Sequence, residues 1–287
     1  MPDSVRELIE SYRSDPQSSF RKLSHGVRVK HERLLARITK EHGHRSLKQI
    51  RARNLVAWHD GWLGKGKIAT AHSLVSRLRV VLRFGATILE DKECRRLSEL
   101  LTEMRFEGPL PRKKALSSEQ ARQIRAKARQ WFGWYSLALA QAFQFELRLN
   151  QKSVIGEWVP IGETEQSNVR RRAEGREEKW VKGLRWSGLD DQFVLRHVSG
   201  KRAPELQFDI KNARMVMEEL AIYAQVSVEE LTRDHLPHDG PIIINDVTGL
   251  PWSTAEFRRK WRLVADNAGI PKNVMNMDSG KSRAKLE

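Results

Sequence analysis

Residues 131–158 constrain the fold of this chain more than any other stretch. They begin as a run of aromatic and small apolar residues, WFGWYSLALAQAFQFEL, which is long enough for a buried helix. The stretch turns polar at residues 148–152 and ends in a short apolar segment, residues 154–158. This pattern predicts a central helix that delivers Arg148 to a site and is followed by a strand.

Length and composition bound the class of protein. With 287 residues, 39% of them hydrophobic and 31% charged, the chain is long enough for two domains that each bury a core. Charged residues interrupt the apolar runs, so we expect no membrane span and no membrane partner. The N-terminal residues lack the apolar region of a signal peptide, and Cys94 is the only cysteine, which excludes an intramolecular disulfide. We therefore expect a cytoplasmic protein.

The charge of the chain is strongly positive and unevenly distributed. The net charge is +16, from 52 basic and 36 acidic residues. Residues 1–116 hold 25 basic and 13 acidic residues, whereas residues 117–287 hold 27 and 23. Such a basic first half favours a polyanionic partner, most often nucleic acid, over a role for the charge in solubility alone.

Composition shifts divide the chain into four segments. Residues 1–28 are polar and rich in Ser and Arg, which predicts a flexible basic arm. Helical periodicity runs through residues 29–107, so we expect an all-helical domain there. Residues 108–116 contain two prolines and an Arg-Lys-Lys run, which predicts a linker. Residues 117–287 then form a mixed α/β domain, and the predicted fold class is mainly α with a small β component.

The first domain contains a candidate DNA-binding surface. A glycine- and lysine-rich loop, residues 61–67, precedes a long predicted helix over residues 69–89. His72, Arg79 and Arg83 share one face of that helix, away from its apolar stripe. A basic stripe of this kind suits a DNA backbone, although an ordinary solvated face explains the pattern equally well. Across the whole chain, the candidate DNA-binding residues are Lys65, Lys67, His72, Arg79, Arg83, Lys113, Lys114, Arg258 and Arg259.

The second domain combines helices with a predicted β-hairpin. Residues 193–198 and 205–210 are strand-like, and the turn between them carries Lys201. A Ser-x-x-Glu capping box at Ser253 opens a late basic helix. The polar residues 161–179 are expected to form an exposed loop.

Motifs for nucleotide and metal binding are incomplete. The GWLGKGK segment resembles a phosphate-binding P-loop, but Ile68 replaces the hydroxyl residue that would bind magnesium, and no strand precedes it. His31 and Glu32 lack the second histidine of a zinc protease, and His235 and His238 lie in a proline-containing loop. We therefore expect no metal site and no cofactor.

Basic residues at the edges of the predicted elements remain as candidate site residues. They are Arg148, Lys201, Arg258, Arg259 and Arg262. Metal-free phosphoryl transfer on DNA needs cations around the phosphate oxygens, a proton donor for the leaving oxygen and a nucleophile. Arginine suits the first role because its planar fork matches phosphate, and a hairpin lysine suits the second. Any one of these residues, taken alone, is more often an ordinary surface charge.

From residue 29 to residue 279 the chain resembles the tyrosine recombinases, the phage-integrase family. The similarity rests on the co-linear segments LALAQAFQFEL, QKSVIGEW, KWVKGLRWSGLDDQFVLRHVSGKR, GPIIINDVTGLPW, EFRRKWRLVADNAGIP and VMNMDSG. It implies that residues 29–107 are a helical, SAM-like core-binding domain. It also implies that residues 117–287 are an integrase-type catalytic domain.

The resemblance implies an activity as well as a fold. Such proteins bind paired double-stranded DNA sites as a tetramer and cut one strand through a tyrosine, without metal or ATP. Two arginines hold the scissile phosphate, and a hairpin lysine donates the proton. On this basis Lys201 matches the lysine, and Arg148 matches the first arginine if the register shifts by two residues.

The chain departs from the family pattern at three places. Asn150 and Ser153 occupy, by spacing, the positions of the first arginine and of the acid that follows it. Met277 and Gly280 stand where the histidine and arginine of the second motif are expected. None of the tyrosines matches the nucleophile position. The tyrosines of the sequence are Tyr12, Tyr135 and Tyr223.

These departures qualify the expected function. We expect a catalytic domain truncated before its nucleophile, in a protein that binds double-stranded DNA in integration or recombination without cutting it. The partners implied are DNA and either further copies of the chain, as a tetramer on paired sites, or full-length relatives. The alternative is a non-catalytic accessory or a remnant of a mobile element, and a basic RNA-binding protein is a third hypothesis.

Overall fold

A computed structural model describes residues 1–198 and 204–281 of the chain. The chain divides into two units, Met1–Arg112 and Lys113–Glu287, and the division falls inside residues 108–116, the predicted linker. The described elements are mostly helices, with small antiparallel sheets in the second unit. The predicted fold class, mainly α with a small β component, is therefore confirmed. Each helix in the described ranges is too short or too polar to span a bilayer.

The first unit is a bundle of helices around α4. Its helices are α1 (Val5–Ser14), α2 (His25–His42), α3 (Ala52–Leu63), α4 (Ile68–Thr87) and α5 (Lys92–Glu103), with short 3-10 turns at Ser19–Lys22 and Leu47–Gln49. The apolar stripe expected on α4 is buried, including Leu74, Leu78 and Leu82, and the helix packs against α1, α2, α3 and α5. Burial of α4 therefore holds this unit together.

The N-terminal segment is part of this bundle, which corrects the prediction of a flexible arm. Val5, Leu8, Ile9 and Tyr12 recur at the spacing of one helix face. All are at most 1% exposed and belong to the core of the first unit. The many polar residues of this segment make its helix hard to recognise from the sequence. The amphipathic helix becomes stable once its apolar face packs against the neighbouring helices.

The second unit is organised around α7. Its helices are α6 (Ser118–Phe132), α7 (Tyr135–Glu146), α8 (Gln151–Ile155), α9 (Arg214–Ala224) and α10 (Thr254–Asn267), and its strands are β1 (Glu157–Pro160), β2 (Arg170–Ala173), β3 (Arg176–Val181), β4 (Val194–Val198) and β5 (Glu205–Asp209). Residues 136–144 are all buried, and α7 packs against α6 and α9. The predicted central helix is present, but the apolar segment after it forms α8 before it becomes β1.

A carboxylate from a distant loop caps the start of α7. Trp134, the residue before the helix, provides no side-chain cap. The Asp246 carboxylate instead accepts hydrogen bonds from the Ser136 N–H at 3.1 Å and from the Ser136 hydroxyl at 2.6 Å. The free N–H groups and the dipole of a helix favour a negative charge at this end. The buried helix therefore has its first turn satisfied by a tertiary contact.

A small sheet follows α8 and corrects the prediction of an exposed loop for residues 170–179, whereas residues 161–169 lie outside the strands. β3 lies between β1 and β2 and is antiparallel to both. Arg171 of β2 pairs with Glu178 of β3 at 2.7 Å, and the turn residues Glu174 and Gly175 both have positive φ, as two-residue hairpin turns require. Charged residues pair across β2 and β3, and apolar residues do not alternate along β2. A prediction that depends on apolar alternation therefore misses this sheet.

β4 and β5 form the predicted hairpin. They are antiparallel, and their register places Leu195 opposite Phe208 and Val198 opposite Glu205. Residues 199–203, and with them the candidate Lys201, lie outside the described residues.

A buried ion-pair network joins α6 to α9. Arg125 donates to Glu219 at 2.7 Å and to Glu218 at 2.9 Å, and Arg129 also donates to Glu219. The side chains of Arg125 and Glu219 are 3% and 1% exposed. Removing Glu219 would leave the buried Arg125 guanidinium with only the partly exposed Glu218 as its acidic partner, in a medium that solvates charge poorly.

We expect Glu219→Ala to lower the free energy of unfolding of the second unit by roughly 3–5 kcal/mol. Urea unfolding followed by tryptophan fluorescence measures this loss, because Trp58 and Trp62 are the only tryptophans outside that unit. Glu218→Ala is the matched control, since Glu218 is 36% exposed and its loss leaves the Arg125–Glu219 pair intact. The control loss should stay near or below about 1 kcal/mol, and equal losses would contradict the burial argument.

Candidate functional site

A cavity of about 650 Å³ opens where the end of α7, the start of α8, α10 and the segment after α10 meet. Its lining is rich in basic side chains, and no Asp or Glu lines it within the described part of the chain. We call it the basic cavity. Its basic lining residues are Arg148, Lys152, Arg258, Arg262 and Lys281.

The backbone presents Arg148 at the end of α7. The helix ends at Glu146, and Arg148 follows with a φ of 54°, the left-handed conformation that commonly terminates helices. The side chain is exposed, and within residues 1–198 and 204–281 no hydrogen bond or ion pair holds its guanidinium. Arg148 is therefore available to bind an external anion.

Arg258 contributes a second available guanidinium, whereas Arg262 is engaged within the fold. The Nε–H of Arg258 donates to the Thr254 carbonyl at 3.1 Å. This bond does not use the terminal amino groups of Arg258, so they can bind a ligand. Arg262 donates to the carbonyls of Ile270 and Val274, both at 2.8 Å. Arg262 thus holds the turn after α10 in place, and Arg258 faces the cavity.

Lys152 is neutralised by a buried carboxylate. Glu157 is 6% exposed and accepts hydrogen bonds from Lys152 and, at 2.8 Å, from Lys182. Burial alone would raise the pKa of the Glu157 carboxyl, but the hydrogen bonds and charges of the two lysines outweigh it and hold that pKa below its ordinary value. Lys152 therefore ties α8 to β1 more than it attracts ligands.

Buried amides fasten the segment after α10 to α7. Gln144 and Asn276 exchange two hydrogen bonds, at 3.0 and 3.2 Å, and both are at most 5% exposed. The Oε1 atom of Gln141 accepts from the Trp261 Nε1–H at 2.6 Å and from the Ser279 hydroxyl at 3.3 Å. Sequence reasoning missed these contacts, although glutamines inside the apolar run LALAQAFQFEL were their signal, since buried amides need partners.

Glycine at position 280 allows the same segment to lie against Arg148. A Cβ atom at Gly280 would stand 3.2 Å from the carbonyl oxygens of Arg148 and Leu149. Contacts this short with backbone atoms would force the two walls apart. Because Gly280 has no side chain, the segment can pack directly against the backbone of Arg148 and Leu149 and form one side of the cavity. Gly280 occupies the position expected for a second arginine.

The other positions that depart from the family pattern have structural roles. Asn150 caps α8, since its Oδ1 atom accepts from the Ser153 N–H at 3.1 Å and its Nδ2–H donates to the Ser153 hydroxyl at 2.9 Å. Gln151, three residues after Arg148, donates to the Thr254 carbonyl at 3.0 Å and so connects α8 to α10. Met277 lines the cavity and is 61% exposed.

The remaining predicted DNA contacts differ in availability. Six of the predicted contacts have exposed side chains. They are Lys65 and Lys67 in the α3–α4 loop, Arg83 near the end of α4, Lys113 and Lys114 before α6, and Arg259 on α10. His72 is half-buried beside Gly108. Arg79 differs from the prediction, because its guanidinium donates to the carbonyls of Leu101 and Met104 at 2.8–3.2 Å and holds the end of α5.

None of the three tyrosines lines the basic cavity in the described part of the chain. Tyr12 is buried in the first unit. Tyr135 and Tyr223 are about half exposed and line a different cavity of about 250 Å³ with Asp246 and Glu219. The two tyrosines of the second unit therefore line a cavity other than the one that Arg148 and Arg258 line.

Comparison with known proteins identifies the fold. No protein-family model matches the chain, and no curated protein matches its sequence. A lambda integrase dimer bound to a COC′ core site matches with a TM-score of 0.70 at 14% identity, over 99% of this chain and 89% of that chain. A lambda integrase tetramer bound to a Holliday junction gives a TM-score of 0.67 at 13% identity, over 99% and 73%. The Tn1549 transposon integrase in complex with circular intermediate DNA gives 0.55 at 9% identity, over 97% and 85%.

The chain therefore has the tyrosine-recombinase fold, as its sequence segments predicted. The sequence identities are low, so the likeness concerns the path of the backbone and not individual side chains. The site residues accordingly depend on the geometry of this chain alone.

We expect Gln144→Leu to lower the free energy of unfolding by about 1–3 kcal/mol, because the Asn276 amide would stay buried without its partner. Urea unfolding of the single variants and of the double variant Gln144→Leu/Asn276→Leu measures the coupling. The double variant should lose less than the sum of the single losses. Strictly additive losses would show that the two amides act independently.

Proposed function

We propose that this chain binds double-stranded DNA at sites of integration or recombination and does not cut DNA by itself. The observation that carries the proposal is the basic cavity, where Arg148 and Arg258 present guanidinium groups and no carboxylate competes for them within the described residues. Arginine binds phosphate through two parallel hydrogen bonds, so such a pair suits a DNA backbone. The net charge of +16 adds a long-range attraction for the same partner.

Basic residues of the first unit supply a second proposed contact. Lys65 and Lys67 lie exposed in the loop before α4, and Arg83 lies exposed near its end. We exclude Arg79 from this surface because its guanidinium holds the end of α5. Lys113 is exposed at the start of the second unit and is a further proposed contact. Lys114, Arg259 and the half-buried His72 stay predicted contacts.

The structural neighbours support an assembly on DNA. One is a dimer bound to a core site and another is a tetramer bound to a Holliday junction. We propose that this chain likewise binds paired sites with further copies or with full-length relatives, in the cytoplasm. RNA binding is a less favoured hypothesis, because each of these neighbours is a complex with DNA.

The catalytic status follows from the proposed roles of the site residues. Arg148 would hold a phosphate, and Lys201, outside the described residues, would donate a proton if the hairpin reached the same phosphate. A covalent step also needs a nucleophile, and the tyrosine hydroxyls lie elsewhere. An accessory protein, or a remnant of a mobile element, that occupies recombination sites fits this arrangement better than an independent enzyme.

We expect Arg148→Ala/Arg258→Ala to weaken binding to duplex DNA and to flatten its salt dependence. The slope of log affinity against log salt should fall by roughly 1.8, the value for two lost phosphate contacts at about 0.9 each. Fluorescence anisotropy across a salt series measures both effects.

The matched control removes the same charge elsewhere in the second unit. Arg122 and Arg214 are 59% and 90% exposed, pair with Glu119 and Glu218, and lie outside the basic cavity. Arg122→Ala/Arg214→Ala should change the slope by less than half as much. No measurable binding by the unmodified chain at low salt would refute the function itself.

We expect no covalent protein–DNA adduct when the chain meets a nicked suicide substrate of its recombination site. Denaturing electrophoresis of labelled DNA detects such an adduct. With an active relative added, the chain should alter the yield of that relative's adduct while forming none of its own. An adduct mapped to Tyr135 or Tyr223 by mass spectrometry would overturn this part of the proposal.

A further inference from the structure

The basic cavity has an apolar wall as well as a cationic rim. Met275 and Met277 line it and are 48% and 61% exposed. Methionine is more often buried than exposed, so two exposed methionines in one cavity are unusual. Leu149 and Trp261 lie deeper and are nearly fully buried. Methionine packs favourably against aromatic rings and adapts to irregular shapes. The wall therefore suits a flat aromatic group beside the two arginines.

Most side-chain amide atoms of the wall are already hydrogen-bonded within the fold, whereas the buried Nε–H of Arg262 has no partner among the described residues. Gln144 and Asn276 bind each other, Asn150 binds Ser153, and the amide nitrogen of Gln151 binds the Thr254 carbonyl. The Gln151 Oε1 atom is then the main amide acceptor left to face a ligand. Such a wall accepts an aromatic ring without distinguishing the pattern of donors and acceptors on its edge.

The size of the cavity limits what can enter. About 650 Å³ lies in the range of pockets that hold small organic ligands. A base-paired duplex is far wider than such a pocket, whereas a single nucleotide swung out of a strand fits within it.

We propose that the basic cavity receives one unpaired nucleotide of a DNA strand. The phosphate of that nucleotide lies between Arg148 and Arg258, and its base packs against Met275 and Met277. This inference rests on the proposed DNA-binding function and names the form of DNA that the site prefers. Because the wall amides are engaged, the preference concerns unpaired over paired nucleotides and not one base over another.

The preference has a thermodynamic cause. Extruding a nucleotide from an intact duplex has a free-energy cost, which is smallest when the nucleotide is already unpaired. A duplex with a single bulged nucleotide should therefore bind about tenfold or more tightly than the same duplex without it. The bulged duplex carries one phosphate more than the intact duplex, so the two salt slopes should differ by no more than about 0.9.

The experiment uses the full chain and a 2-aminopurine placed as the bulged nucleotide. Anisotropy at matched salt gives the affinities for the bulged and intact duplexes, and acrylamide quenching reports whether the 2-aminopurine is shielded from solvent. We expect tighter binding of the bulged duplex and protection of its fluorescence. Replacing the bulged nucleotide by each natural base should change the affinity less than about threefold, since no base-specific contacts are made.

Met275→Ala/Met277→Ala tests the wall directly. Met275 is about half exposed and Met277 more so, so the thermal midpoint should stay near that of the unmodified chain, and its measurement checks that loss of the Met275 cap on the turn Asn276–Asp278 does not unfold the site. The variant should lose the protection and most of the preference for the bulge while still binding intact duplex. Val247→Ala, at an apolar residue of the same unit that is 79% exposed and outside the cavity, should change neither.

The outcomes separate this inference from the proposed function. Equal affinity for bulged and intact duplexes, or an unprotected 2-aminopurine, refutes the nucleotide site and leaves duplex binding in place. Protection that survives removal of both methionines also refutes it, because the base would then lie elsewhere. Failure to bind either duplex at low salt refutes the proposed function.

Discussion

Burial of α7 is the constraint on which the second unit depends. Residues 136–144 are surrounded by neighbouring elements, so every polar group in that stretch needs a partner inside the protein. Asp246 satisfies the first turn, and Gln141 and Gln144 bind the segment after α10. The helix thereby fixes both its own position and one wall of the basic cavity. Its end leaves Arg148 in a left-handed conformation at the cavity mouth.

The cations of this chain fall into two classes, and their partners decide which class each belongs to. Arg79, Arg262 and Lys152 are engaged by carbonyls or a carboxylate, so their charge stabilises the fold. Arg148 and Arg258 have no acidic partner in the described ranges, and their desolvation on binding a phosphate would be offset by the phosphate itself. Counting basic residues in the sequence cannot make this distinction, because Arg79 and Arg262 are held by backbone carbonyls, which every residue has, and Lys152 is held by a carboxylate that only the fold brings beside it.

Much of the fold could be predicted from local sequence signals, and the site only in outline. The apolar run of α7 and the helix start at Ser253 are each encoded within a few residues, and both are present, with the Ser253 hydroxyl accepting from the Glu256 N–H. The helix at Val5 and the strand at Arg171 were missed, because one is stabilised by packing and the other by cross-strand charge pairs. Arg148 and Arg258 were named individually from the sequence. That they share one cavity depends on contacts between residues more than 100 positions apart, which no local pattern encodes.

The described lining of the basic cavity is cationic and apolar. A general acid or base needs a titratable group whose charge can change near neutral pH, and a nucleophile needs an activated hydroxyl, thiol or amine. Among the described lining residues the titratable groups are lysines and arginines, and the carboxylates that pair with Lys152 and Arg262, those of Glu157 and Asp266, lie outside the lining. An arginine side chain stays charged over a wide pH range, so it can hold an anion without exchanging a proton with it. Arginines beside exposed methionines therefore suit the binding that we propose, since the arginines hold phosphate and the methionines pack against a base.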